Sequence, residues 1–281
     1  MSERKEKIIK RGLIFLIVIL SLVVLTFTYL KVTSIGKFYK DEKNLKIPVF
    51  VYHDIVKDKS EVKYDYMQTT ESKFKSQIFG LMKIGYTPIS YDDLIEYSKG
   101  EKAIPQKSFL ITFDDGYSGV YKYAFPIAKQ YNIPMASFLI NYDVALPGYY
   151  TWEEANEMNN SGIITIASHS LKHLQYDKEK PEDLLKDVNT SFEDLDSKMQ
   201  KKAKNKIFTY PYGLYTKEEQ ELLNKNGIIQ NLTDNRINTS KNLRLDGIHR
   251  MYPLNDSVFK IYLKCISVND VKQKYIKIKS I

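Results

Sequence analysis

Four histidines occur in the 281 residues, His53, His169, His173 and His249, and two of them stand four apart in His169-Ser170-Leu171-Lys172-His173. Two imidazoles on one turn can offer two nitrogens to a single ion. A carboxylate pair, Asp114-Asp115, precedes Gly116. One carboxylate of that pair can supply a third ligand and leave a coordination position open for water. Two histidines and one carboxylate suit one divalent cation, zinc first, with cobalt, nickel or iron compatible with the same geometry. The other aspartate is then free to act as a base. Taken singly, an Asp-Asp-Gly reads as a turn and a spaced histidine pair as surface residues. They become a site only if the chain brings them to one place.

The elements around them predict that it does. Short apolar runs alternate with helical patterns: IPVFVY (47–52), SFLITF (108–113), MASFLI (135–140) and KIFTY (206–210) read as buried strands. Phe74, Ile78 and Leu81 recur at helical spacing up to Gly85. Ser90 can cap a helix that ends at Gly100, and Val120, Ala124, Ile127 and Tyr131 form a helical face. Thr151 with Glu154 and Thr216 with Glu219 are capping-box patterns, closed by Gly162 and Gly227. Pro181 starts a long helix with Leu185, Val188, Phe192, Leu195 and Met199 as its buried stripe. Repeated strand and helix units argue for a parallel sheet covered by helices, closed into an α/β barrel at this length. In such a barrel the loops after the strands share one face. Tyr52-His53-Asp54, Asp114-Asp115-Gly116, His169 to His173 and Tyr210-Pro211-Tyr212-Gly213 would therefore converge there.

From residue 47 onward the chain resembles the polysaccharide deacetylases of carbohydrate esterase family 4, the NodB homology domain. The resemblance is most specific in Thr112-Phe113-Asp114-Asp115-Gly116 and His169-Ser170-Leu171-Lys172-His173. It implies a distorted (β/α)7-type barrel that hydrolyses N-acetyl groups on a polysaccharide. It also implies Asp114 as catalytic base, and Asp115, His169 and His173 as ligands of one divalent metal ion, zinc first. Pro211-Tyr212 matches the third motif, whose Tyr212 backbone N–H helps to hold the oxyanion. Two departures stand out. Many members carry an arginine three residues before that tyrosine to orient the catalytic aspartate, whereas Thr209 stands here; Arg250 is the candidate replacement. The usual late histidine acid lacks its Leu-x-x-His setting, because His249 follows Leu245-Asp246-Gly247-Ile248. The branch acting on poly-β-1,6-N-acetylglucosamine is more similar, with an early Tyr-His like Tyr52-His53 and the same Tyr-Pro-Tyr-Gly. That likeness makes His53, rather than His249, the general acid. Aromatic Tyr150 and Trp152, with Pro211, are candidates to line a glycan groove, but Trp152 begins a capped helix, and packing under that helix is its expected role. Peptidoglycan or a wall polysaccharide is the alternative polymer, and a catalytically silent glycan-binding protein is the alternative of another class. No His-Glu-x-x-His occurs, so the metalloprotease motif is absent.

Composition sets the surroundings. The chain is 43% hydrophobic with a formal net charge of +8. The first eleven residues carry five basic against two acidic groups, and the remaining excess forms no concentrated tract of the kind that binds nucleic acid. Residues 12–30 run without a charge for about 28 Å at helical rise, close to the hydrocarbon thickness of a bilayer. Basic residues precede them, so the expectation is a cytoplasmic N-terminus (1–11), a single-pass anchor (12–30), a stalk (31–46) and an extracellular catalytic domain (47–281). A cleaved signal peptide is the rival, but no small-x-small site follows the apolar run. The expected partners are an N-acetylglucosamine polysaccharide, the membrane and an exopolysaccharide synthesis complex. Cys265 stands alone and reads as a small buried apolar residue.

Overall fold

The computed structural model describes residues 3–34, 45–178 and 180–266, with side chains for 10–26 in the first stretch. That stretch is a helix, α1 (Glu3–Ser34). Among the described residues no helix is long and apolar enough to cross a membrane. The expected anchor, 12–30, runs past the described side chains, and most of the stalk lies outside the described residues.

In chain order the domain then contains β1 (Lys46–Ile47), β2 (Val49–Tyr52), β3 (Asp54–Val56), β4 (Gln68–Thr70), α2 (Glu71–Lys83), β5 (Thr87–Pro88) and α3 (Tyr91–Ser98). These are followed by β6 (Ser108–Phe113), α4 (Phe125–Tyr131), β7 (Met135–Leu139), α5 (Trp152–Asn160), β8 (Ile164–Ser168), α6 (Pro181–Lys198) and β9 (Ile207–Thr209). The chain continues through α7 (Lys217–Lys225), β10 (Ile229–Thr233), β11 (Asn238–Thr239), β12 (Ile248–Arg250) and α8 (Val258–Ile266). Parallel pairing runs β12-β10-β9-β8-β7-β6-β2. Met251 then joins the two ends, its N–H donating to Val49 O (2.9 Å) and its carbonyl accepting from Val51 N–H (3.0 Å). Seven strands thus form a nearly closed parallel barrel, the expected α/β architecture.

Alternation along the strands decides which side chains enter the lumen. Phe109, Ile111 and Phe113 of β6 pack outward against the helices, whereas Leu110 joins an inner cluster with Val49, Phe138, Ile207, Ile229 and Ile248. Tyr91, Leu94 and Ile95 of α3 belong to the same inner cluster. Two residues beyond Leu110 and Thr112, the same face presents Asp114. Two beyond Ile248 it presents Arg250. The strand pattern itself therefore delivers a carboxylate and a guanidinium to one lumen.

The caps at Ser90, Thr151 and Thr216 form where the sequence expects them, each with a reciprocal bond from the residue three positions on. Two packing expectations shift. Before α4 a π-helical turn covers Val120–Ala124, and its extra residue rotates the face. Phe125 and Ala128 are therefore buried beside Ile127, while Tyr131 is exposed. In α6 it is Leu184 that is fully buried, with Leu185 half-buried beside the expected Val188, Phe192 and Leu195. Cys265 is buried in the main core, as expected.

A tight contact fixes the segment that follows His53. A Cβ on Gly119 would meet Ile55 O at 2.0 Å and Asp54 Oδ1 at 2.3 Å. Asp54 is further tied by Gln68 Nε2 donating to its Oδ2 at 3.0 Å. Gly119→Ala is therefore expected to lower unfolding free energy by about 1–3 kcal/mol through overpacking. Denaturant unfolding of the detergent-solubilised chain would measure this, and a loss below about 0.5 kcal/mol, the range of neutral surface changes, would show that the strap gives way freely.

Candidate active site

The carboxyl ends of β2, β6, β8, β9 and β12 carry His53, Asp114-Asp115, His169, Tyr210-Pro211-Tyr212 and Arg250. Asp114 and Arg250 form a bidentate pair: Nη1 donates to Oδ1 and Nη2 to Oδ2, both at 2.7 Å. Both residues are buried. Arg250 also donates to Thr112 Oγ1 (3.2 Å) and Thr233 Oγ1 (2.7 Å), and its guanidinium lies over the Phe138 ring at 5.5 Å. Burial pushes the Asp114 carboxyl up, but the Arg250 charge, followed by that of His169, outweighs it and holds the carboxyl below its ordinary range. Thr209, where the resemblance expects an arginine, instead accepts from Asn231 Nδ2 at 3.2 Å. Asn231 in turn accepts from the Tyr91 hydroxyl. The lumen is thus filled from β9 and β10, and the cation reaches Asp114 from β12.

Asp115 turns away from its neighbour because its backbone is left-handed (φ 72), a conformation available to aspartate. Its Oδ1 is buried without a hydrogen-bond partner of good geometry. The polar atoms beside it are His169 Nε2 at 3.3 Å and His173 Nε2 at 3.5 Å, and those two nitrogens lie 3.2 Å apart. His169 Nδ1 sits 2.9 Å from Thr209 O. A carbonyl only accepts, so Nδ1 carries the proton and a neutral His169 turns the lone pair of Nε2 toward Asp115. Burial, then the neighbouring His169, pushes His173 down to about 4, which keeps its imidazole neutral at physiological pH. For His169 burial acts downward, but the Asp115 and Asp114 carboxylates raise it overall. With His169 in its neutral form, three electron-pair donors face one another around a gap. A tetrahedral ion with bonds of about 2.0–2.2 Å has ligand-to-ligand edges of about 3.3–3.6 Å. The three observed edges, 3.2, 3.3 and 3.5 Å, fit such an ion. Among the described residues this is the group of side chains arranged to hold a metal.

The two candidate acids separate. His53 lies half-buried at the end of β2, close enough for its charge to lower both Asp114 and Asp115. Its ring stacks on Tyr252, with centroids 5.9 Å apart and planes 8° apart. His249 points to the opposite face of β12 from Arg250. Its Nδ1 pairs with Asp234 Oδ2 at 2.8 Å, and it lines a side cavity of about 350 Å³ with Tyr215, Gln220 and Asp246.

The expected groove lining is corrected. Tyr150 is fully buried, its hydroxyl 3.0 Å from Ser137 Oγ, so neither ring face is open to a sugar. Pro211 is buried in its turn, and Trp152 is half-buried against the main core as the first residue of α5. The open aromatic at the site is Tyr212, 59% exposed, with φ 59 and its ring 4.5 Å from that of His173. Tyr142 is also exposed and lies against Lys172 of the histidine turn. Tyr117 and Tyr149 stack on each other at 5.0 Å; burial and then the Asp115 charge raise Tyr117, while burial and then the Asp143 charge raise Tyr149. Sequence reading overlooked Tyr117, Tyr252 and Thr233. Tyr252 carried a usable signal, since it stands two residues after Arg250 and hence on the same strand face.

Residues 101–230 match the family model described as polysaccharide deacetylase. The chain carries a polysaccharide deacetylase domain. The Bacillus subtilis (strain 168) protein YxkH, named for the same family, is 26% identical over 80% of this chain and 78% of its own length. A Staphylococcus epidermidis poly-β-1,6-N-acetyl-D-glucosamine N-deacetylase is 27% identical over 57% of this chain and 58% of its own length. The fold is that of the Streptococcus pyogenes deacetylase PplD, solved in complex with acetate. The two superpose with a TM-score of 0.71 at 20% identity, over 80% of this chain and 100% of that one. The candidate site residues above all come from the carboxyl end of the barrel. Arg250 and His53 lie outside the matched segment; the case for Arg250 rests on its clamp on Asp114 and that for His53 on the early Tyr-His likeness and its place at the end of β2.

Proposed function

We propose that the chain is a metal-dependent N-deacetylase of an extracellular N-acetylglucosamine polysaccharide, with poly-β-1,6-N-acetylglucosamine as its polymer. One observation carries this reading: the Asp115-His169-His173 donor triangle stands beside a carboxylate, Asp114, clamped by Arg250. A divalent cation held by those three residues, zinc by the character of the donors, would supply Lewis-acid polarisation of the acetamide carbonyl and of a water molecule. Asp114 accepts the proton of the attacking water. Both its oxygens are engaged by Arg250, but each keeps a lone pair, and the clamp fixes the direction in which they point. The backbone N–H of Tyr212 faces the negative charge that develops on the carbonyl oxygen. His53 delivers a proton to the departing nitrogen, which is too basic to leave as an anion. Acetate and a glucosamine unit result, and the new amine is cationic at neutral pH.

The named activity of the Staphylococcus epidermidis relative supports the polymer. The uncharged run 12–30 behind a basic start supports an anchor with the domain outside the cell. In that position the site would meet nascent exopolysaccharide, and a synthesis complex is the fitting neighbour.

The test is acetate release by the detergent-solubilised full chain from N-acetylglucosamine oligomers with β-1,6 and β-1,4 linkages. It is run as prepared, after chelation, and after zinc or cobalt is restored. The expected result is release from β-1,6 oligomers that falls about 100-fold or more on chelation, as loss of a metal's contribution demands, and returns with the ion. Preference for β-1,4 oligomers would move the polymer to a wall glycan. Absence of release from every polymer, with metal bound, would leave a glycan-binding protein.

A further inference from the structure

We propose that Tyr252 positions His53, so that the end of β12 orients both partners of proton transfer: Arg250 holds the base and Tyr252 holds the acid. The inference rests on the reading of His53 as the acid and extends it to a residue outside the motifs.

The two histidines at the ends of β2 and β12 are held in different ways. His249 has a carboxylate, Asp234, on its Nδ1. Among the described residues no carboxylate pairs with the His53 ring, and the contact that fixes its plane is the Tyr252 stack, 8° from parallel. A stack constrains ring tilt while leaving both nitrogens free. A group that must point one nitrogen at a leaving amine needs that freedom.

Tyr252 is itself firmly held. Its N–H donates to Asn235 Oδ1 at 3.0 Å, its carbonyl accepts from Lys264 Nζ at 2.8 Å, and Asn235 N–H donates to Arg250 O at 2.9 Å. Register explains the juxtaposition. Met251 closes the barrel against Val49 and Val51 of β2, so the residues on either side of it, Arg250 and Tyr252, face the lumen end where β2 delivers His53. Barrel closure and acid placement are one event.

A positioning role separates from a structural one by the leaving group. An amine must be protonated to depart, whereas 4-nitrophenolate leaves from an aryl acetate unaided, so only the amide reaction needs a well-aimed acid. The full chain with Tyr252→Ala is expected to lose about 30-fold in deacetylation of β-1,6 N-acetylglucosamine oligomers but less than about 3-fold on 4-nitrophenyl acetate, a loss short of the roughly 10²–10⁴-fold that a general acid contributes because the acid is misaimed rather than removed. His53→Ala is expected to show the same split more strongly. Tyr252→Phe keeps the ring and is expected to retain wild-type deacetylation. Equal losses on both substrates in Tyr252→Ala, or no loss on either, would overturn the positioning role while a split in His53→Ala upheld the acid. A Tyr252→Phe variant as damaged as Tyr252→Ala would shift the role from ring to hydroxyl and overturn the stacking argument. Equal losses on both substrates in His53→Ala would remove the acid reading itself, and the proposal with it.

Discussion

Asp114→Asn is expected to lower acetate release by about 10³-fold or more, toward the upper range of what a general base contributes, while the protein keeps its metal-binding capacity. The two effects separate because the two aspartates do different work. Asp115 Oδ1 faces the histidine nitrogens at 3.3 and 3.5 Å, whereas both oxygens of Asp114 face Arg250 at 2.7 Å. Asparagine is nearly isosteric, so the donor triangle stays intact, but its side chain has no basic oxygen to take a proton from water. It also turns an amide NH₂ toward one arm of the guanidinium, setting donor against donor. Metal content by atomic absorption, read beside kcat on the β-1,6 oligomer, checks both halves. Residual turnover within about 10-fold of wild type, far short of a base's contribution, would mean that Asp114 is not the base. Loss of bound metal together with activity would mean that Asp114 helps to hold the ion.

How much of this was legible in the sequence follows from where each residue draws its signal. Asp114-Asp115 and His169-His173 sit next to strands with near-continuous apolar runs, SFLITF and GIITIA, so strand, turn and motif reinforce one another. β10 and β12 are harder to read because beyond Ile229 and Ile248 their lumen faces turn polar. Asn231 is spent on Tyr91 and Thr209, Thr233 on Arg250, and Arg250 on Asp114. Buried polar residues satisfied across a barrel leave no hydrophobic period. Arg250 could be proposed from the missing arginine at Thr209, but its four-way engagement depends on strand order, which no local pattern encodes. Tyr150 shows the converse. An aromatic beside Tyr149 reads as a sugar platform, yet tertiary packing takes it under Gly116 and against Ser137. Aromatic type alone does not separate a platform from a core residue.

Arg250→Met is expected to destabilise the protein at neutral pH by about 3–5 kcal/mol, the cost of leaving a buried charge without its partner, and the deficit is expected to shrink on acidification. In the wild-type chain Arg250 holds the folded Asp114 carboxyl below its unfolded value. The pair's stabilisation is therefore fully present above an unfolded value of about 3.9 and is lost as pH falls through the folded one. Without the guanidinium, burial is the largest remaining influence and pushes the carboxyl upward. The folded value then lies above the unfolded one. The protonated group is tolerated at low pH, and stability is lost as pH rises through the folded value. Between neutrality and about pH 4, the unfolded carboxylate value, the wild-type pair therefore keeps its contribution while the variant gains stability on acidification. Denaturant unfolding of both chains across that interval measures the difference, and the acidic limb of kcat/KM should move to higher pH in the variant because its base is protonated sooner. A guanidinium that only filled space would give a deficit independent of pH and leave that limb where it is. Thr112, Thr233 and Phe138 surround Arg250 in either case, so the pH dependence, rather than the size of the loss, shows whether β12 supplies a packing residue or the cation that keeps a buried base ionised.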